Sequence, residues 1–465
     1  NSHVSTAALR ADGLPMSLFL DLAYLLVGAV LSPWIVYRAF SGDGKGFWRR
    51  FGFGLGAKAE GVIWLHGSSA GEVSLLPPLV ELLEKDAPDT PLLISAYSST
   101  GLAAARKSFP DRRVILFPFD FSFVVRRFMR HFAPRLIVIV ESEFWPNFLV
   151  AAARRDVPVV VLNGKISSKS FRVYTRTRLF SSVLRRISLI AVQTEEHARR
   201  LRDLGVDGRK VRVTGNMKYD LARPLQEPEH SGELRRLLGY GADDVVVIGG
   251  SLHDGEDDVL LEAFSALALS GSVCSLVLVP RYPADAARIQ QSIAEKGYPV
   301  VCKTAVDRGD EPPPGPHGVL LVDTLGELRM LYAAADIAFV GGSLFYRGSN
   351  KGGHNLMEPA ILGVPVLFGP HNFSFKETAQ ELIAAGGGIE VADARELGAA
   401  LARLGGDKVE RQRMGERARR VVLDGQGATR RNYALLTSVL QSSQTGLLDV
   451  GRDRTMPRTA GEMDS

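Results

Sequence analysis

The feature that most constrains this chain is a pattern that occurs twice: short apolar runs alternating with helix-period stretches, in two series separated by a polar break. Apolar runs bounded by helical patterns mark strands of a parallel sheet covered by helices on both faces. The first series predicts strands at Val62–Leu65, Leu92–Ser95, Val114–Phe117, Leu136–Val140, Val159–Leu162 and Leu189–Val192. The second predicts them at Val245–Gly249, Ser275–Val279, Val319–Val322, Ile337–Gly341, Pro365–Phe368 and Gly388–Val391. Between them, Asp220 to Ser231 is polar and contains proline, which reads as a linker over 221–231. The chain therefore reads as two Rossmann-like α/β domains, 41–220 and 232–445. Its 465 residues, 46% of them hydrophobic, are enough for two cores. The polar stretch 446–465 is expected to be a disordered tail.

The 15 residues before Met16 lack periodicity and read as a tail or an upstream start. Segment 16–40 is expected to be a membrane-anchor helix. Its run from Leu18 to Tyr37 has roughly the ~20-residue length of a bilayer span, interrupted by Asp21 and Pro33. The basic flank of Arg38, Lys45, Arg49 and Arg50 is expected to put the bulk of the chain on the cytoplasmic side of the membrane. A first helix buried against the N-terminal domain is the alternative. Between Arg106 and Arg186 there are 17 Lys or Arg against five acids, a field that suits an anionic membrane surface or substrate. No nucleic-acid partner is expected. Two cysteines only, Cys274 and Cys302, argue for a reducing setting without disulfides or a zinc cluster.

In open α/β sheets ligands bind beyond the carboxyl ends of the strands, so two such sheets facing each other are expected to enclose a site in a cleft. The chemistry-bearing residues do cluster after strands. His66-Gly67-Ser68-Ser69-Ala70-Gly71-Glu72-Val73 is a run of small residues leading into a helix. It lacks a P-loop lysine and the dinucleotide glycine spacing, which disfavours ATPase and dehydrogenase readings. Glu72 reads either as a first-turn carboxylate complementing the helix dipole or as a general base. Glu141 and Glu143, in Glu141-Ser142-Glu143-Phe144-Trp145-Pro146-Asn147, end an apolar strand. One could orient a lysine or an acceptor hydroxyl, and the other could cap the next helix. Asn163-Gly164-Lys165 follows a further strand. Lys218 and Arg281 are placed to meet an anionic donor group. Gly352 and Gly353, read as standing before a helix N-terminus, suit a nucleotide phosphate, and Glu358 reads as a ribose acceptor or as a cap.

These residues resemble one family closely: the 3-deoxy-D-manno-octulosonic acid (Kdo) transferases of lipopolysaccharide synthesis. The resemblance rests on HGSSAGEV at 66–73, ESEFWPN at 141–147, LNGKIS at 162–167, VTGNMKYD at 213–220, GGSLHDGE at 249–256 and GGHNLMEPAILGVPVLFGP at 352–370. It implies a GT-B fold, CMP-Kdo as donor, a lipid A precursor as acceptor, and no cofactor or required metal. Glu72 falls on the family's catalytic base, and Glu141 with Glu143 on its second acidic motif. Ser251, Arg281, Asn355 and Glu358 fall on the donor-holding side, and Lys218 matches the hinge lysine. Two features depart from the pattern: Tyr282 stands where a histidine is expected, and Phe345 to Lys351 is longer than the usual loop.

The reaction expected is an inverting displacement, with Glu72 taking the acceptor proton and cytidine monophosphate leaving. Two rivals keep the fold. One is a GT-B enzyme for a different nucleotide sugar, such as a uridine-nucleotide transferase or an epimerase. The other is a non-catalytic, membrane-tethered nucleotide-binding or scaffold protein.

Overall fold

The computed structural model describes residues 16–30, 44–176, 178–224, 229–348 and 352–444. The two expected tails, the second half of the expected anchor, part of the linker and residues 349–351 lie outside the described residues. By its contacts the chain divides into two compact units, one of residues 1–218 with 427–465 and one of residues 219–426.

The first unit is a parallel sheet of seven strands: β1 Ile63–His66, β2 Leu92–Ala96, β3 Arg113–Leu116, β4 Leu136–Val140, β5 Val159–Gly164, β6 Leu189–Val192 and β7 Val211–Val213. Their order is β3-β2-β1-β4-β5-β6-β7. Strand order reverses between β1 and β4, which pair from Ile63 opposite Leu136 to His66 opposite Ile139. The crevice of a doubly wound sheet therefore opens where His66 and Val140 end their strands. Trp64, Phe128, Phe132 and Phe148 are fully buried in one core cluster against the sheet.

The second unit repeats the plan with β8 Val245–Leu252, β9 Cys274–Pro280, β10 Val300–Cys302, β11 Val319–Leu321, β12 Ile337–Val340, β13 Val366–Phe368 and β14 Gly388–Glu390, ordered β10-β11-β9-β8-β12-β13-β14. Here the switch lies between β8 and β12. Successive strand residues feed opposite faces, so Val246 and Ile248 enter one core cluster while Val245 and Val247 enter the other.

All twelve expected strands are present. The two unexpected ones, β7 and β10, are three-residue edge strands. Arg212 and Val213 are exposed and Val300 to Cys302 only partly covered, so neither carries the buried apolar run that betrays an inner strand.

The domain boundary differs from the one expected. Helix Ala428–Gln444 groups with the first unit, where Tyr433 donates to Asp86 (2.6 Å) and Asn432, fully buried, accepts from the Thr214 hydroxyl (3.0 Å).

Of the expected anchor only the first part is described. The described helix is Met16–Val30, fifteen residues, and no helix among the described residues is long and apolar enough to cross a membrane. Asp21 does not interrupt an apolar surface. Its carboxylate accepts from the backbone N–H (2.9 Å) and hydroxyl (2.5 Å) of Ser122, and from the Asn147 side chain (3.0 Å). Ser17, Leu20, Asp21 and Tyr24 thus make a face packed on the unit, while Leu18, Leu22, Leu25 and Leu26 are exposed on another.

In β8 one glycine has no substitute. A Cβ on Gly250 would lie 2.0 Å from the hydroxyl oxygen of the buried Tyr332. Gly250→Ala is expected to destabilise the second unit by about 3 kcal/mol, read by denaturant unfolding.

Candidate active site

Glu72 sits in the four-residue helix Ala70–Val73, whose N-cap is Ser69. The carboxylate turns back over that cap, accepting from the Ser68 backbone N–H (2.6 Å) and the Ser69 hydroxyl (3.0 Å). Ser68 is itself held by β2, since the N–H groups of Tyr97 (3.1 Å) and Ser98 (2.9 Å) donate to its carbonyl. Gly67 is required for this closeness, because a Cβ there would stand 2.9 Å from the Val73 nitrogen. Burial, first, and the charges of Glu141 and Glu143 raise the Glu72 pKa to about 7, against the lowering effect of Ser68 and Ser69.

Glu141 follows β4 with a left-handed backbone (φ 65°), and its carboxylate pairs with Lys165 at 2.8 Å. Asn163 and Ser251 adopt the same region (φ 55° and 56°) near the carboxyl ends of β5 and β8. Three non-glycine residues in this strained region, all at strand carboxyl ends, mark positions where geometry is held at a cost. Glu143 is raised by burial, with Trp145 and Ser68 nearby lowering it in part. Trp145 stacks on Tyr97 (centroids 5.0 Å), and the Arg50 guanidinium lies 4.3 Å over the other ring of that stack, Tyr97. Glu72, Glu141 and Glu143 are thus brought together in the first unit, beside an aromatic wall.

The helix that follows, Pro146–Ala153, is capped by neither glutamate. Asp120, buried, accepts from the N–H groups of Asn147 (3.0 Å) and Phe148 (2.8 Å) and from the Tyr24 hydroxyl (3.2 Å). Burial raises its pKa to about 7. Its capping role was not legible because Asp120 lies more than twenty residues upstream of the helix it caps.

Lys218 stands in the 3-10 turn Met217–Leu221 at the end of the first unit. The turn is fixed from β5: the Met217 N–H donates to Asn163 Oδ1 (2.9 Å).

In the second unit, backbone hydrogen bonds gather the ends of β8, β9 and β12. The Arg281 N–H donates to Leu252 O (2.7 Å), Gly341 N–H to Gly250 O (2.9 Å) and Gly353 N–H to Gly342 O (2.6 Å). Ser251, Arg281 and the Gly352-Gly353 pair are therefore neighbours. Asn355 caps the helix Met357–Ile361, accepting from the Met357 N–H (3.1 Å) and donating to Glu358 Oε1 (3.0 Å). Burial raises the pKa of Glu358.

The glycine pair does not stand at a helix N-terminus as expected. The helix begins at Met357, because Gly352 (φ 129°) and Gly353 (φ 77°) hold the chain against Gly342 and Asn372. The Gly353 N–H is taken by a carbonyl, and of the two expected amides that of Gly352 has no partner among the described residues.

Two groups outside the sequence expectation complete this half. Glu256, 1% exposed, accepts four backbone N–H groups: Gly342 (2.6 Å), Ser343 (2.9 Å), Leu344 (3.0 Å) and His253 (2.9 Å). His253 and His354 meet Nε2 to Nε2 at 2.9 Å, so one donates to the other. Burial, the partner histidine and Arg281 and Arg347 lower His354 to about 4, and burial lowers His253. Tyr282, where a histidine was expected, meets His253 edge-on at 5.8 Å. Asp254 and Asp257 are paired with Arg288 (3.1 Å each), and Asp258 with Lys296.

A family model described as 3-Deoxy-D-manno-octulosonic-acid transferase (kdotransferase) matches residues 45–221. The chain is 32% identical to a 3-deoxy-D-manno-octulosonic acid transferase of Haemophilus influenzae over 384 residues, 82% of this chain and 87% of that one. It is 34% identical to one of Bordetella pertussis over 429 residues, 87% and 94% of the two chains. Among solved structures it is similar to the UDP-GlcNAc 2-epimerase of Neisseria meningitidis (TM-score 0.53, 14% identity, 82% of this chain, 99% of that). It is similar also to MurG of Acinetobacter baumannii (TM-score 0.51, 12% identity, 82% and 99%). At such identities the likeness shows the fold alone, a GT-B-like α/β chain of two Rossmann-like units.

Proposed function

Because the chain belongs to the 3-deoxy-D-manno-octulosonic acid transferase family, we propose that it moves Kdo from CMP-Kdo to a hydroxyl of a lipid A precursor by a single inverting displacement that needs no metal. The observation that carries this reading is the state of Glu72: a carboxyl raised to about 7 and aimed by two short hydrogen bonds is a base matched to an alcohol near neutral pH. In the proposed step Glu72 takes the acceptor proton, the oxygen bonds to the anomeric carbon of Kdo, and cytidine monophosphate leaves with the electrons of the broken bond. Glu141 holds Lys165 and, with Glu143, keeps Glu72 basic. Arg281, Lys218 and the Gly352 N–H meet the negative charge of the donor. Ser251 and Asn355 shape the nucleotide site, and Glu358 accepts from the ribose.

The same reading places the enzyme on the cytoplasmic face of the inner membrane, with the helix Met16–Val30 lying in the interface rather than spanning it. Its exposed Leu18, Leu22, Leu25 and Leu26 support this, as does the excess of arginine and lysine in the first unit.

Competition separates this reading from its rivals. Cytidine monophosphate is expected to displace the donor, while uridine nucleotides leave transfer unaffected. Inhibition by uridine nucleotides alone would redirect the assignment to another sugar nucleotide, and failure to bind either would favour a non-catalytic role.

A further inference from the structure

A cavity of about 260 Å³ opens on the first unit at the edge of its sheet, lined by β3 and the helix Ser99–Ser108. Its walls are of two kinds. Phe53, Leu102 and Ile115 supply apolar surface, and Arg49, Arg106 and Arg113 supply charge. Arg113 is engaged within the fold: its guanidinium donates to Leu55 O and to Ala57 O (2.5 Å) and lies 4.7 Å over Phe132. Arg49 and Arg106 are exposed and have no carboxylate partner among the described residues. Two uncompensated guanidinium groups beside apolar walls are the complement of a phosphate that carries hydrocarbon.

The walls of the cavity are tied by contacts to the catalytic loop and to the helix Met16–Val30. On one side, Ser98, which caps the helix bearing Leu102 and Arg106, donates to Ser68 O, and the Ser68 N–H holds Glu72. Arg106 is eight residues further, about 12 Å along the axis at 1.5 Å per residue. On the other side, Phe53 meets Trp48 edge-on (5.9 Å), Trp48 packs on Phe51 (6.0 Å), Phe51 stacks on Phe121 (6.3 Å), and Phe121 meets Tyr24 (5.8 Å) of the helix with the exposed leucines. These contacts connect the cavity with both the loop that holds Glu72 and the helix whose exposed leucines suit acyl chains.

We propose that the cavity is a subsite for a phosphomonoester of the acylated acceptor, held by Arg49 and Arg106 while a hydroxyl of the same molecule is presented to Glu72. This inference rests on the lipid A precursor being the acceptor. A bilayer phospholipid offers the same phosphate chemistry, so the test separates the two sources.

The full chain and its Arg49→Ala/Arg106→Ala variant are compared in detergent on the phosphorylated lipid A precursor and on the same lipid after phosphatase treatment. The expected result is a rise in KM of about tenfold for the phosphorylated acceptor, with kcat and donor KM unchanged and no difference between the proteins on the dephosphorylated one. Equal effects on both acceptors, or an unchanged KM, would overturn the subsite. So would loss of sedimentation with anionic phospholipid vesicles while acceptor kinetics stay normal, which would assign the cavity to the bilayer. Trp48, in contact with Phe53, supplies a reading that does not need turnover. If the wild-type protein transfers Kdo to neither lipid yet its indole emission responds to the phosphorylated one through Arg49 and Arg106, the reaction assignment fails and the phosphate site stands. No response from either protein overturns the site itself.

Discussion

Glu72→Gln is expected to lower kcat by about 10²–10⁴, the contribution of a positioned base, while donor and acceptor KM change little. In the wild-type enzyme kcat/KM should rise with pH through about 7 as the carboxyl loses its proton, and in the variant that rise should vanish. Stability moves the other way. The folded chain raises this carboxyl from 4.5 to about 7, so between those values it holds more protons than the unfolded chain, and stability falls as pH increases across the window. Above pH 7 the full cost is present, on the order of 1–2 kcal/mol after allowance for partial exposure. Glutamine removes it. The variant should therefore unfold at higher denaturant than wild type at pH 8 and match it near pH 4.5. Asp120, also raised to about 7 and untouched by the change, leaves the variant a residual slope of the same sign. A variant that is inactive and also less stable at pH 8 would mean that Glu72 serves the fold and not the reaction.

Glu256→Ala should be the most damaging single change in the second unit. It strips the acceptor from four backbone N–H groups, three of them in the Gly342 to Leu344 turn after β12. Water entering the gap recovers part of the loss, leaving about 4–5 kcal/mol and a released turn. Glu256→Gln keeps one carbonyl oxygen but sets its amide against backbone donors, so an intermediate loss is expected. The four tryptophans, at 34, 48, 64 and 145, all precede the second unit in the sequence, and those at 48, 64 and 145 belong to the first unit. The expected signature is thus a far-ultraviolet circular dichroism transition shifted to low denaturant while the indole transition stays in place, with fast amide exchange at 342–344. Nucleotide binding should be lost in parallel. Coincident loss of both transitions would show that the damage is not confined to the second unit.

Glu256 also shows where reading the sequence stops. The repeated alternation of apolar runs located every inner strand, because a strand buried on both faces writes its burial into consecutive residues. The placement of motif residues after strands was equally legible: Glu72 in the loop and helix after β1, and Glu141 directly after β4. What failed were pairings between distant segments. Glu256 reads as one more acid at a polar helix start, and nothing local says that residues 342–344 converge on it. The His253 and His354 contact spans a hundred residues, and Asp120 caps a helix that begins 26 residues later. Asp21 looked like a break in an apolar run and is a hydrogen-bonding anchor on Ser122 and Asn147. Glycines 352 and 353 were read for their amides. Their conformation was not read: only glycine holds those φ values against His371 and Asn372.

The most direct test is transfer itself: labelled Kdo, supplied as CMP-Kdo generated in the same vessel, presented with a tetra-acylated lipid A precursor in detergent to the wild-type enzyme and to Glu72→Gln. Labelled glycolipid from the wild-type enzyme and none above background from the variant is the result this account predicts. Near-normal product from the variant would remove Glu72 from the reaction, and no product from a wild-type enzyme that binds cytidine monophosphate would contradict the proposed acceptor.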